Sequence, residues 1–189
     1  MKKFDRVYKH YDKFIEMFKF NKGEEIKEIL NLQGEEVVLD IGGGTGRLAD
    51  YISSDCKIVY ILDESEGMLS KVKANGKVVP ILGDGLNTDF ENNSIDIVLM
   101  VDVFHHIENQ KGLIQEAYRI LKDNGKLLIL DLEKKNAKIR MLRVFEFILF
   151  GKLYFKTSEE IQELIKDKFK IRNFIDNKYY FIIIGEKNV

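Results

Sequence analysis

Between Val37 and Gly46 the chain reads VVLDIGGGTG. A β-branched run ends in three successive glycines, Thr45 and Gly46 follow, and a helical pattern opens at Arg47 or just before. Glycine lets backbone approach a ligand closely and take positive φ. A helix start offers N–H groups that the helix itself leaves unpaired. The spacing therefore predicts a bend that takes a small ligand with acceptor atoms, outside the carboxyl ends of the strands. Three ligand classes compete for such a bend. A P-loop needs Lys followed by Ser or Thr after the last glycine, and here Arg47 and Leu48 follow Gly46. A dinucleotide loop has G-x-G-x-x-G spacing, whereas Gly42-x-Gly44-x-Gly46 is one residue tighter. Asp40 stands two residues before the first glycine. A carboxylate beside a pyrophosphate costs energy, and beside a cation it is favourable. The chemistry expected at the bend is the binding of a positively charged ligand.

S-adenosylmethionine carries a sulfonium and an ammonium group and meets that requirement. Further along, His105 and His106 are the candidate proton acceptors, just beyond a fourth apolar run. Imidazole is suited to general-base work near neutral pH. A metal site is not expected, because the chain has three histidines and His10 is distant in sequence.

The elements that must position these residues follow from the apolar pattern. Val37 to Ile41, Lys57 to Asp63, Val78 to Asp84, Ile95 to Val101 and Lys126 to Leu132 are near-continuous apolar runs. Such runs suit strands buried on both faces of a parallel sheet. Between them Leu48, Ala49 and Ile52 share a helical face. So do Met68, Leu69 and Val72, and so do Leu113, Ile114, Ala117, Ile120 and Leu121. Alternating β and α elements predict an α/β fold with an open, doubly wound Rossmann-like sheet of about seven strands. Pro80 interrupts the third run. Proline lacks the ladder donor, so the third strand is expected at the sheet edge. Thr157 to Glu160 has capping-box spacing ahead of Ile161, Leu164 and Ile165. Lys170 to Ile175 and Tyr179 to Gly185 are joined by three residues, which permits only an antiparallel hairpin. Before the sheet, Phe14, Ile15 and Phe18, then Ile26, Ile29 and Leu30, predict one or two helices.

The motifs together resemble the class I S-adenosylmethionine-dependent methyltransferases, within the group around the ubiquinone and menaquinone C-methyltransferases. The likeness runs from about Phe4 to Lys187 and is strongest from Val37 to Leu132. It rests on LDIGGGTG, ILDESEGML, LGDGLNTDFENNSIDIVLMVDVFHHI and EAYRILKDNGKLLILDL. Arg47 departs from the quinone enzymes, which often carry an acid at that place. The resemblance implies S-adenosylmethionine as cofactor and S-adenosylhomocysteine as product. It implies that Asp40 lies near the amino and sulfonium end, and that Gly42 and Gly44 give close approach. Asp63 would accept both ribose hydroxyls, with Glu64 and Met68 flanking ribose and adenine. Asp84 would accept from the adenine amino group, with the Gly85 amide near the ring, and Val101 would line the methionine moiety. Tyr11, with Tyr8 and Asp12 beside it, resembles a lid element that reaches the cofactor carboxylate.

One domain of 189 residues is expected. Its parts are an N-terminal helical lid over about 1–34, a cofactor core over 35–133, a substrate cap over 134–156, and a C-terminal helix and hairpin over 157–189. The cap segment holds seven basic residues against Glu146 alone, interleaved with Phe145, Phe147, Phe150, Tyr154 and Phe155. An aromatic, basic cover suits a lipophilic or anionic small-molecule acceptor, with contact to an anionic membrane surface as a secondary expectation. A net charge of -1 supplies no bulk attraction for nucleic acid. With one cysteine no intrachain disulfide forms, and no apolar run approaches a bilayer span. A cytoplasmic monomer or homodimer is expected. The alternatives are a non-catalytic S-adenosylmethionine or S-adenosylhomocysteine binder and an NAD-dependent oxidoreductase.

Overall fold

The computed structural model of the chain describes residues 22–133, 147–148, 151–177 and 179–188. Tyr8, Tyr11 and Asp12 lie outside the described residues, as does most of the basic segment 134–156. Seven strands form one sheet in the order β3-β2-β1-β4-β5-β7-β6. The chain divides into two compact units, Met1–Asp84 and Gly85–Val189.

In the first unit β1 (Val37–Ile41), β2 (Ile58–Asp63) and β3 (Val78–Leu82) run parallel. Val38, Leu39, Val59 and Ile61 are fully buried, as two-sided apolar strands should be. Pro80 pairs with Ile61, and β3 ends the sheet order. The missing N–H therefore faces no further strand, as the proline predicted. Helix α1 (Gly23–Leu30) buries Ile26 and Leu30. It stops where Asn31 turns left-handed, at φ 46°, and its N–H returns to the Lys27 carbonyl. Two helices foreseen after β1 and β2 are short. Helix α2 spans Ala49–Ile52 and α3 spans Glu66–Leu69, four residues each. The helix expected at Arg47 starts two residues later, because left-handed Gly42, Gly44 and Gly46 prolong the turn.

The second unit joins β4 (Ile95–Val101) in parallel to β5 (Leu121–Leu132). Helix α4 (Gln110–Ile120) connects them and buries Leu113, Ile114, Ala117 and Ile120, the face expected from their spacing. Helix α5 (Ser158–Ile165) carries the foreseen capping box: the Glu160 N–H donates to the Thr157 hydroxyl, and the Thr157 N–H donates to the Glu160 carboxylate. The antiparallel hairpin is β6 (Phe169–Asp176) with β7 (Tyr180–Lys187). The later strand is the inner one, since β7 pairs with both β5 and β6. That explains YFIIIG: Phe181 to Ile184 have strands on both sides and are buried, whereas most of β6 is open to water.

A polar knot anchors the approach to β4. Glu116 on α4 accepts the Thr88 N–H at 2.8 Å, the Thr88 hydroxyl at 2.6 Å and two Arg119 N–H groups at 2.7 and 2.8 Å. Arg119 also donates to the Phe90 carbonyl at 2.8 Å. Burial alone would raise the Glu116 pKa, but the bonds from Arg119 and Thr88 outweigh it and hold the group at about 2. A depressed carboxyl pKa contributes stability above its unfolded value and loses it as pH falls. The contribution, about 3 kcal/mol, should fade between about pH 4.5 and 2. Glu116→Gln should flatten that part of the acid-unfolding curve, and an unchanged curve would contradict the assignment.

Candidate active site

The glycine bend is tied to β2 from several sides. The Gly42 and Gly43 amides donate to the Leu62 carbonyl, at 2.7 and 3.3 Å. The Gly44 amide donates to Asp63 Oδ2 at 3.0 Å, and the Ser65 amide donates to Oδ1 at 2.8 Å. Ser65 then caps α3 by accepting the Met68 N–H at 3.1 Å. Asp63 thus holds the bend on one side and the start of α3 on the other. A carboxylate is an acceptor on both oxygens, so Asp63 meets backbone N–H groups with each of them.

Two glycines that the sequence reading did not single out are the sterically demanding ones. A Cβ on Gly43 would lie 2.7 Å from Asp40 Oδ2 and 2.9 Å from Ile61 Cγ2. A Cβ on Gly46 would lie 2.8 Å from Ile61 Cδ1, at a backbone φ of 78°. The signal was present in GGGTG, but spacing alone does not say which glycine faces protein and which faces open space.

Asp40, near the end of β1, is 2% exposed. Burial first, and the nearby Asp63 charge second, push its pKa up to about 7. No hydrogen bond among the described residues counts against those two effects. A buried carboxyl in this condition is improved by a cation and worsened by an anion. The bend therefore fits a small cationic ligand and disfavours a diphosphate.

The other expected donor-site residues are less enclosed or more enclosed than their proposed tasks suggest. Glu64 and Asp84 are exposed, Gly85 is half-buried, and Met68 is 1% exposed inside the first unit. Asp40, Gly42, Gly44 and Asp63 are brought together, while Val101, which closes β4, belongs to the second unit.

In that second unit His105 and His106 lie in a 3₁₀ turn, Phe104–His106. His105 is 1% exposed, and its ring stacks on Phe155 at 4.3 Å with 7° between planes. His106 is half-buried, its ring 4.2 Å from that of His105. The His105 Nδ1 lies 2.5 Å from Asp131 Oδ1. Asp131 is a partner the sequence reading missed, although an acid inside the apolar run LLILDL was a visible anomaly.

Comparison with known proteins identifies the family and the fold. Residues 39–129 match the methyltransferase domain family. A demethylmenaquinone methyltransferase of Geobacillus sp. is 30% identical over 188 residues, covering 87% of this chain and 79% of the relative. The fold matches an S-adenosylmethionine-dependent methyltransferase of Thermotoga maritima, with a TM-score of 0.78, 22% identity and coverage of 98% and 99% of the two chains. It also matches a chain of the Haloferax volcanii complex between the Trm112 methyltransferase activator and a methyltransferase, with a TM-score of 0.85, 15% identity and coverage of 99% and 98%. The chain belongs to the S-adenosylmethionine-dependent methyltransferase family. Among its relatives stand enzymes that act on demethylmenaquinone. Its cofactor is S-adenosylmethionine. Among the described residues no helix is long and apolar enough to cross a membrane.

Removing Asp63 should cost twice. Asp63→Ala leaves ribose hydroxyls unpaired and releases the Gly44 and Ser65 amides, so donor affinity should fall by about 1–3 kcal/mol, up to roughly 150-fold. Calorimetric titration with S-adenosylhomocysteine measures it, and unchanged affinity would refute the role.

Proposed function

We propose that the chain methylates a small molecule, a reduced quinone of the demethylmenaquinone type, at a ring carbon. The observation that carries the donor half is Asp40, a buried carboxyl beside the glycine bend that a cation stabilises. The acceptor half is supported by the 30% identical relative, which acts on demethylmenaquinone and is covered over most of its length. The aromatic and basic composition of residues 134–156 accords with a lipophilic ring.

When bound, S-adenosylmethionine supplies the methyl group: the acceptor's electron pair makes the new bond, and the pair of the broken methyl–sulfur bond stays on sulfur in S-adenosylhomocysteine. Asp40 stabilises the cationic end of the donor, and Gly42 and Gly44 admit it closely. Asp63 accepts the ribose hydroxyls, Glu64 and Met68 flank them, Asp84 and the Gly85 amide take the adenine, and Tyr11 serves the carboxylate end. His105, with His106 beside it, receives the proton that the acceptor loses and passes it to water.

Incubation with radiolabelled methyl donor and demethylmenaquinol tests the reading, with the methylated quinol as the expected product. Titrations with S-adenosylmethionine, S-adenosylhomocysteine and NAD separate the alternatives. Binding without transfer to any quinol would favour a non-catalytic binder, and tight NAD binding with no response to the other two would overturn the reading altogether.

A further inference from the structure

Asp131 sits near the end of β5, 3% exposed, in a strand whose other buried side chains are Leu and Ile. An acid there costs desolvation unless its oxygens are used. They are used on one residue above all. Oδ1 faces His105 Nδ1 at 2.5 Å and accepts the Leu132 N–H at 2.7 Å, while Oδ2 accepts the His105 backbone N–H at 3.0 Å. One carboxylate therefore grips the ring and the main chain of the same histidine.

The remaining freedom of that histidine is removed by its neighbours. Phe155 lies flat on the ring, and the Tyr154 N–H donates to the His105 carbonyl at 2.7 Å. The Gln110 amide donates to the Phe104 and Tyr154 carbonyls, at 3.0 and 2.8 Å. An ionised carboxylate only accepts, so the nitrogen facing it carries the hydrogen. In a neutral imidazole the other nitrogen then holds the lone pair.

Resting on the reading of His105 as the proton acceptor, we propose that Asp131 is its positioning residue: it fixes the Nδ1–H tautomer and leaves Nε2 as the nitrogen that takes the acceptor's proton. The imidazolium formed by that transfer lies against the Asp131 carboxylate, which stabilises it until the proton passes to water. The competing role is a purely mechanical tie between β5 and residues 154–155, and it makes different predictions.

The tautomer is read in the unsubstituted chain by 15N magnetic resonance of labelled histidine. The expected result is a hydrogen on Nδ1 of His105, and a hydrogen on Nε2 alone overturns the proposal. Turnover of demethylmenaquinol is then compared between the parent and D131N across pH. The carboxamide can present its N–H to the ring and reverse the tautomer, so kcat should fall about 100-fold or more. The acid limb of the profile should move to lower pH, with KM for S-adenosylmethionine unchanged. A lower melting temperature with kcat and pH profile intact would leave only the mechanical tie and refute the proposal. Where D131N fails to fold, D131E keeps the charge, and a reduced kcat with the parent's acid limb is expected; parental kcat refutes it. An inactive parent would instead refute the reading of the acceptor, and with it the use of this couple.

Discussion

At pH 8 the ligand-free chain carrying Asp40→Asn should be more stable than the parent, by up to about 4 kcal/mol. In the parent this carboxyl is raised from its ordinary 3.8 to about 7, by burial and by the charge of Asp63. The folded state therefore holds a proton that the unfolded chain gives up. Below pH 3.8 both states are protonated and the group has no effect. As pH rises through 3.8 to 7 the folded chain progressively loses stability, and above 7 it carries the full cost of a buried charge. Asparagine has nearly the same shape and no charge, so its advantage grows over that same window. Thermal unfolding at a series of pH values measures it, and two parallel curves would contradict it.

The same substitution should impair donor binding. A cation beside Asp40 favours the ionised carboxyl, so uptake of S-adenosylmethionine drives off the proton. Parent affinity should rise with pH, by up to tenfold per unit below about 7, and level off above it. Asp40→Asn should bind more weakly with no such slope. S-adenosylhomocysteine lacks the sulfonium and should show a shallower slope than the methyl donor. The pair of results would link stability to function in one carboxyl, Asp40.

The second large effect concerns Gly43. Its backbone φ is not left-handed, so the constraint is one of space. Alanine there would bring a methyl carbon to 2.7 Å from the Asp40 carboxylate and 2.9 Å from Ile61. Ile61 is fully buried on β2 and Asp40 is held in β1, so neither neighbour can yield cheaply. The bend must move instead, taking with it the Gly44 amide that Asp63 holds. Gly43→Ala should lower donor affinity about 100-fold or more, roughly 3 kcal/mol. Gly76→Ala is the control, since a methyl there meets nothing within 4 Å. Equal affinities of the two variants, measured by calorimetry with S-adenosylhomocysteine, would refute the steric account.

Much of this architecture was legible in the order of residues. Five apolar runs with helical spacing between them are local patterns, and each became a strand of the sheet. Pro80 placed its strand at the rim because a missing donor is a property of one residue. Asp40 and the glycines could be read as a place for a cationic ligand because charge and the absence of a side chain are also local. Helix lengths were less legible: the apolar residues after β1 and β2 pack as expected, yet α2 and α3 are only four residues long.

Three features required the folded chain. Strand β7 lies inside β6, a choice made by which strand buries more apolar surface and not by chain order. Gly43 meets protein where Gly44 does not, because Ile61 comes from another strand. Asp131 reaches His105 across 26 positions of sequence. Composition and spacing specify what a short stretch can form, whereas pKa values, tautomers and steric limits depend on atoms that only tertiary contact brings within a few ångströms.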